Sequence, residues 1–309
     1  DLAKASVTKV IAGAGCAAAA GETCATQIIN TFGAQAYRRP ITALERTGLL
    51  NVFRAGATGA TFNDGVENLL IALLQSPNFL FVTELGDAPA KNGVIQLSNH
   101  EIASALSYML TGGPPDKPLT DAAVAGKLVT AAERTLQARR LLMRAEARPQ
   151  LARLFKEWLG IDHLANTGKD ATVYPKYAAL KPAMLAEADA FLSEALFTDD
   201  GTLTKILTAD YTVVDQPLAQ LYGLNSMGAN RRTPYGSIAR RGILMQAAFQ
   251  SVHANDHETH PVKRGNTLLK KVLCIDLPLP GELNIDVVPP LPDATKTTRE
   301  RFSQHSTDK

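Results

Sequence analysis

The densest group of chemistry-bearing side chains is His253, His257 and His260, with Asp256 and Glu258 between them. Their spacing, H-x3-H-x2-H, puts all three rings on one face of a continuous helix. Three imidazoles so placed make a ligand set for a transition metal such as zinc or copper. Pro261 works against this: its ring disfavours helical geometry at His260, so the helix is expected to end before it. Asp256 and His257 then fall in a loop that could face a metal, or could be merely polar structure. Both readings stand at this level.

Cationic pairs come next. Arg38-Arg39-Pro40 closes an expected helix, where cations meet the negative end of the dipole. Arg240-Arg241-Gly242 and Lys263-Arg264-Gly265 each set an arginine before a glycine near an expected helix start. A guanidinium fork can clamp a carboxylate-bearing ligand. It can equally tie helices together through carbonyl oxygens and acidic partners. Asp210 and Asp215 offer two carboxylates for acid–base work, or a brace and cap for the turn before Gln216. Glu101, three residues after Ser98, reads as half of a capping box. No G-x-S-x-G elbow, Walker loop or G-x-G-x-x-G occurs, which leaves serine-hydrolase and nucleotide-binding chemistry without support.

The elements that must position these residues are helical, and the expected fold class is all-α. Apolar residues recur at helical spacing over 22–38, 43–56, 64–75, 99–110, 120–127, 131–145 and 148–159. They recur again over 181–197, 216–222, 238–252 and 261–274. In the 181–197 helix, Met184, Leu185, Phe191, Leu192 and Leu196 are assigned inward and Glu187, Asp189 and Glu194 outward. The segment NFLFVTEL after Pro77 reads as buried and extended, and 160–177 and 225–235 as polar loops. Two packed sub-bundles are expected, residues 1–160 and 161–274. A proline-rich extended arm follows over 275–295, and then a short helix at TTRERFSQH, the third region spanning 275–309.

With 309 residues, 45% hydrophobic and 20% charged, the chain is long and apolar enough for a large core. A net charge of +2 and 6% aromatics give no pull toward nucleic acid. No run approaches ~20 apolar residues, so no transmembrane helix is expected. Starting at Asp1 without Met, the chain reads as a processed protein or a piece of a longer one. Cys16 and Cys24 flank a short small-residue loop and read as a disulfide, which points to an oxidising compartment outside the cytoplasm. Cys274 is then either free and buried or paired beyond the chain.

Several blocks together resemble known domains. QAYRRPIT (35–42) resembles a motif of the bacterial domain of unknown function numbered fifteen-ninety-five. LLQSPNFLFVTE (73–84) and LSNHEIASALSYML (97–110) resemble blocks of fifteen-ninety-two. LTADYTVVDQPLAQLYG (207–223), RRGILMQAAF (240–249), HPVKRGNTLLKKVLC (260–274) and TTRERFSQHS (297–306) resemble fifteen-eighty-eight. Such domains occur in series in secreted, cytochrome-c-linked proteins of planctomycetes and myxobacteria.

The resemblance implies a periplasmic, cell-surface or secreted module supporting extracellular electron transfer. It implies a cytochrome or other redox partner, with extracellular polysaccharide as a candidate substrate. It implies haem c on a segment following the RERF-like helix or on a partner; no CxxCH occurs within these 309 residues. Under it, His253, His257, Arg241 and Arg264 become haem-facing or propionate-binding candidates. His260 stands where the family block usually has Ser, which weakens it as a shared ligand. The alternatives are a non-catalytic cell-surface scaffold or binding protein and a metal-dependent enzyme using the three histidines.

Overall fold

A computed structural model describes residues 2–225, 228, 230–278, 293 and 295–303. The fold is largely all-α, with a two-stranded antiparallel sheet. No helix among the described residues is long and apolar enough to cross a membrane.

Helix starts follow local chemistry. Thr42 with Glu45, Thr61 with Asp64, Ser98 with Glu101 and Thr297 with Glu300 each form a reciprocal capping box. Each box satisfies backbone donors that the first turn leaves open, worth about 1 kcal/mol per cap.

The chain divides into two compact units, Asp1–Ala147 and Arg148–Lys309. The helix Ala147–Leu159, assigned from sequence to the first body, thus falls almost wholly in the second. Its Ala152 and Leu159 are buried in that unit's core, with Phe155 and Trp158 packed against it.

In the first unit, Cys16 and Cys24 are joined by a disulfide. The helix expected over 22–38 is one run, Glu22–Ile28, a π turn Ile29–Gly33 and Ala34–Tyr37. Arg38 ends it in the left-handed region, at φ 56°. Its guanidinium donates to the carbonyls of Asn78, Phe79 and Phe81 at 2.7–3.2 Å. These bonds hold a conformation that a non-glycine residue otherwise disfavours. Arg39 pairs with Glu45 through two bonds. One apolar cluster gathers Ile28, Ile29, Phe53, Val66 and Leu69; another gathers Leu110, Leu119, Leu128 and Leu141. The segment after Pro77 differs from expectation. Pro77–Leu80 is a short helix capped by Ser76, and Phe81, Val82 and Leu85 are exposed.

In the second unit, the helix Tyr177–Phe197 is the central element. The polar stretch before it is partly ordered as a 3-10 segment, Ile161–Asn166, with Ile161 and Leu164 buried. The expected loop at 225–235 contains a strand, Arg231–Pro234, paired with Tyr211–Val214 in the register Tyr211↔Pro234 through Val214↔Arg231. The single helix expected over 238–252 is instead a 3-10 turn, Ile243–Met245, and a short helix, Ala247–Val252. Gln246, extended at ψ 152°, separates the two pieces, and Gly242 stops helix from running in from the N-terminal side. Gly242 sits at φ 51°, and a Cβ there would collide with the Leu207 carbonyl. The last long helix runs Pro261–Thr267 and continues as a π turn, Leu268–Val272, whose Lys271 carbonyl accepts from Trp158 Nε1 at 2.9 Å. Cys274 is exposed, not buried, and forms no disulfide among the described residues. Most of the proline-rich arm lies outside the described residues; the terminal helix is Thr298–Phe302.

Reduction should loosen the first unit. Opening a loop this short removes about 2–3 kcal/mol of unfolded-state constraint. Dithiothreitol is expected to lower the denaturation midpoint of wild type and of Cys274→Ser equally. A midpoint unmoved by reductant would show that the Cys16–Cys24 bridge constrains nothing.

Candidate functional site

The helix Tyr177–Phe197 turns Glu187 inward, opposite to the sequence assignment. Glu187 is 1% exposed. Positions 184, 187, 188, 191 and 195 share one face, and that face is the core. Two donor chains converge on the carboxylate. Gln246 Nε2 donates to Thr212 Oγ1 at 3.3 Å, which donates to Glu187 Oε1 at 2.5 Å. The Ala247 backbone N–H donates to Tyr222 Oη at 2.6 Å, which donates to Glu187 Oε2 at 2.6 Å. Strand, helix start and helix end therefore each deliver one group. Burial pushes the Glu187 carboxyl up to about 7, against the opposing pull of the two hydroxyls and the Arg240 charge. The Tyr222 hydroxyl is held far above its usual range by burial and the neighbouring carboxylate. Gln246 Oε1 is buried with no hydrogen-bond partner among the described residues.

Tyr222 also lines a cavity of about 470 Å³. Leu180, Met184 and Leu221 form apolar wall. Lys169, Tyr174, Lys176 and Arg240 stand around it, with Gln250, Asn255 and Thr259. Arg240 lies 4.3 Å from the Tyr222 ring centroid and donates to the Met245 carbonyl. Lys169 Nζ donates to the carbonyls of Ala254 and Asn255. Burial, reinforced by the Lys263 charge, holds its ammonium below the usual lysine range.

The histidines are placed separately. Helix Ala247–Val252 ends before His253, so the i, i+4, i+7 face never forms. His253 is buried, its Nε2–H donating to the Leu159 carbonyl at 2.8 Å, its ring 4.5 Å from that of Phe249. Burial holds its pKa below the usual histidine value, so it is a neutral packing residue. His257 is exposed and pairs through Nδ1 with Asp256. His260 caps the helix Pro261–Thr267, its Nδ1 accepting from the Lys263 N–H at 3.2 Å. Among the described residues, no group of three or more His, Cys, Asp or Glu is arranged to hold a metal ion.

The singled-out arginines also part company. Arg241 donates to the carbonyls of Ile238 and Arg240 in its own loop. Arg264 is half-buried, and burial alone depresses its pKa. It lines a second cavity, of about 580 Å³, with Thr259, Thr298 and Arg299. Asp215 caps the helix Gln216–Tyr222, its carboxylate accepting from the Leu218 N–H at 3.0 Å, while the Asp210 carbonyl accepts from the Tyr235 N–H. Glu101 completes its capping box and also accepts from the Leu85 and Gly86 N–H groups.

The Glu187 group has a pH signature. Its folded value, about 7, lies above that of an unfolded glutamate, so between pH 4.5 and 7 the folded chain keeps a proton the unfolded chain has released. Stability is therefore lost as pH rises across that window, by about 3 kcal/mol, and levels off above it. Glu187→Gln is expected to match wild type near pH 5 and exceed it by about that amount at pH 8, read from urea midpoints. Parallel profiles for the two proteins would place the proton elsewhere.

Three family models match the chain in succession. PSD5, protein of unknown function (DUF1595), matches residues 24–84; PSD4, protein of unknown function (DUF1592), matches 97–224; PSCyt3, protein of unknown function (DUF1588), matches 240–309. Two blocks shift owner against the sequence reading: 73–84 falls in the DUF1595 match and 207–223 in the DUF1592 match. No curated protein and no solved structure matches. The Glu187, Thr212 and Tyr222 network thus lies within the DUF1592 match, and its Gln246 and Ala247 donors come from the DUF1588 match. Segments of the chain thus match, in order, three domain families of unknown function, DUF1595, DUF1592 and DUF1588.

Proposed function

We propose that this chain is an extracytoplasmic module that docks a c-type cytochrome and supports electron transfer to or from extracellular substrates, polysaccharide among them. The observation that carries this is the match of residues 240–309 to PSCyt3, a name that points to a cytochrome. The Cys16–Cys24 disulfide supports a location outside the reducing cytoplasm.

The haem belongs on an adjoining segment or a partner. His253 is a poor axial ligand because its Nε2 is committed to the Leu159 carbonyl. Arg241 is committed to its own loop. Arg264 and Arg299 fit better: both line one open cavity within the matched segment. Two guanidinium forks on one cavity wall suit a pair of carboxylates such as haem propionates. The bound haem would supply a one-electron couple; the arginines would orient it and stabilise its more negative, propionate-bearing edge.

The test is an absorbance and redox titration on the protein purified from its native source. A Soret band at one haem per chain is expected. Replacing Arg264 and Arg299 by Gln removes positive charge near the haem, so the midpoint potential should fall. A colourless native protein removes the proposal, and an unshifted potential removes the arginines from it.

A further inference from the structure

The cavity beside Tyr222 has a charge pattern that the cytochrome reading does not use. Lys169, Lys176 and Arg240 line it, and among the described residues no Asp or Glu does. Lys169 is held by two carbonyl oxygens, and Arg240 by one carbonyl and the Tyr222 ring. Of the nearby acids, Glu187 is sealed under the Tyr222 hydroxyl, and Asp256, exposed and outside the lining, is paired with His257. Leu180, Met184 and Leu221 add apolar lining, with Tyr174 and the uncharged polar Gln250, Ser251, Asn255 and Thr259.

We propose that this cavity binds an amphipathic organic anion, an aromatic or extended apolar body carrying a carboxylate. The volume, about 470 Å³, is that of a small-molecule site. The cations offer what a carboxylate needs, in a setting where a partly desolvated pair is stronger than in water. The apolar wall offers what a flat or aliphatic body needs. Tyr222 is fixed in advance by Glu187 and the Ala247 N–H, so the wall it forms needs no ordering on binding.

Isothermal titration of the whole chain with 2-naphthoate, naphthalene-2-methanol and glucuronate tests this. Naphthoate is expected to bind about tenfold more tightly than the isosteric alcohol, and glucuronate more weakly than naphthoate. Lys176→Gln and Arg240→Gln should each weaken naphthoate severalfold while leaving the alcohol unchanged. Lys176 is exposed, so its variant is read even where Arg240→Gln disturbs folding. Absence of naphthoate binding, equal affinity for acid and alcohol, tighter binding of glucuronate, or indifference of naphthoate to Lys176→Gln would each overturn the proposal.

Discussion

A carboxylate sealed inside a helical bundle needs donors, and the second unit is arranged around supplying them to Glu187. An unpaired buried charge costs several kcal/mol, so every neighbour that feeds it becomes structurally constrained. Thr212 arrives on the strand Tyr211–Val214, Tyr222 at the end of the helix Gln216–Tyr222, and the Ala247 N–H at the start of the helix Ala247–Val252. The small sheet makes sense in this light. Its pairing with Arg231–Pro234 holds all four residues of Tyr211–Val214 buried and keeps Thr212 against the carboxylate. Asp215 then caps the next helix, fixing where Tyr222 ends up at the far end of that helix.

The same arrangement decides the electrostatics of the neighbouring cavity. Tyr222 stands between the carboxylate and the open space, with its hydroxyl inward and Arg240 over its ring. The buried negative charge is therefore present in the wall yet withheld from the lining. Because burial and the hydroxyl donors pull the Glu187 pKa in opposite directions, its charge changes near neutrality. The cations around the cavity face a background that shifts with pH, although the described lining itself carries no acid.

Much of the fold is legible in the sequence because its signals are local. The capping box at Ser98 is a four-residue pattern, and it forms. The disulfide follows from short spacing in the same way. Glu187 is the counter-example, although its position is informative: it lies three residues after Met184 and four before Phe191, both buried. Residue type argues outward and periodicity argues inward. Periodicity wins because donors from distant segments make burial tolerable, and no local pattern announces them. Gly242 is a second case. Helical spacing runs through it, but its positive φ and the close approach of the Leu207 carbonyl, a tertiary fact, keep helix from running through it.

The histidine cluster shows why spacing alone cannot assign chemistry. H-x3-H-x2-H puts its rings on one face only of a continuous helix, and the helix stops at Val252. The three rings then act separately. His253 packs against Phe249 and bonds the Leu159 carbonyl, His257 pairs with Asp256, and His260 caps the following helix. What the loop supplies instead is backbone and position. The Ala254 and Asn255 carbonyls hold Lys169 at the first cavity, and Thr259 lines both that cavity and the one bearing Arg264. A segment that reads as a ligand set is, in the folded chain, the shared wall between two cation-lined cavities, and its geometry is owed to hydrogen bonds within the chain.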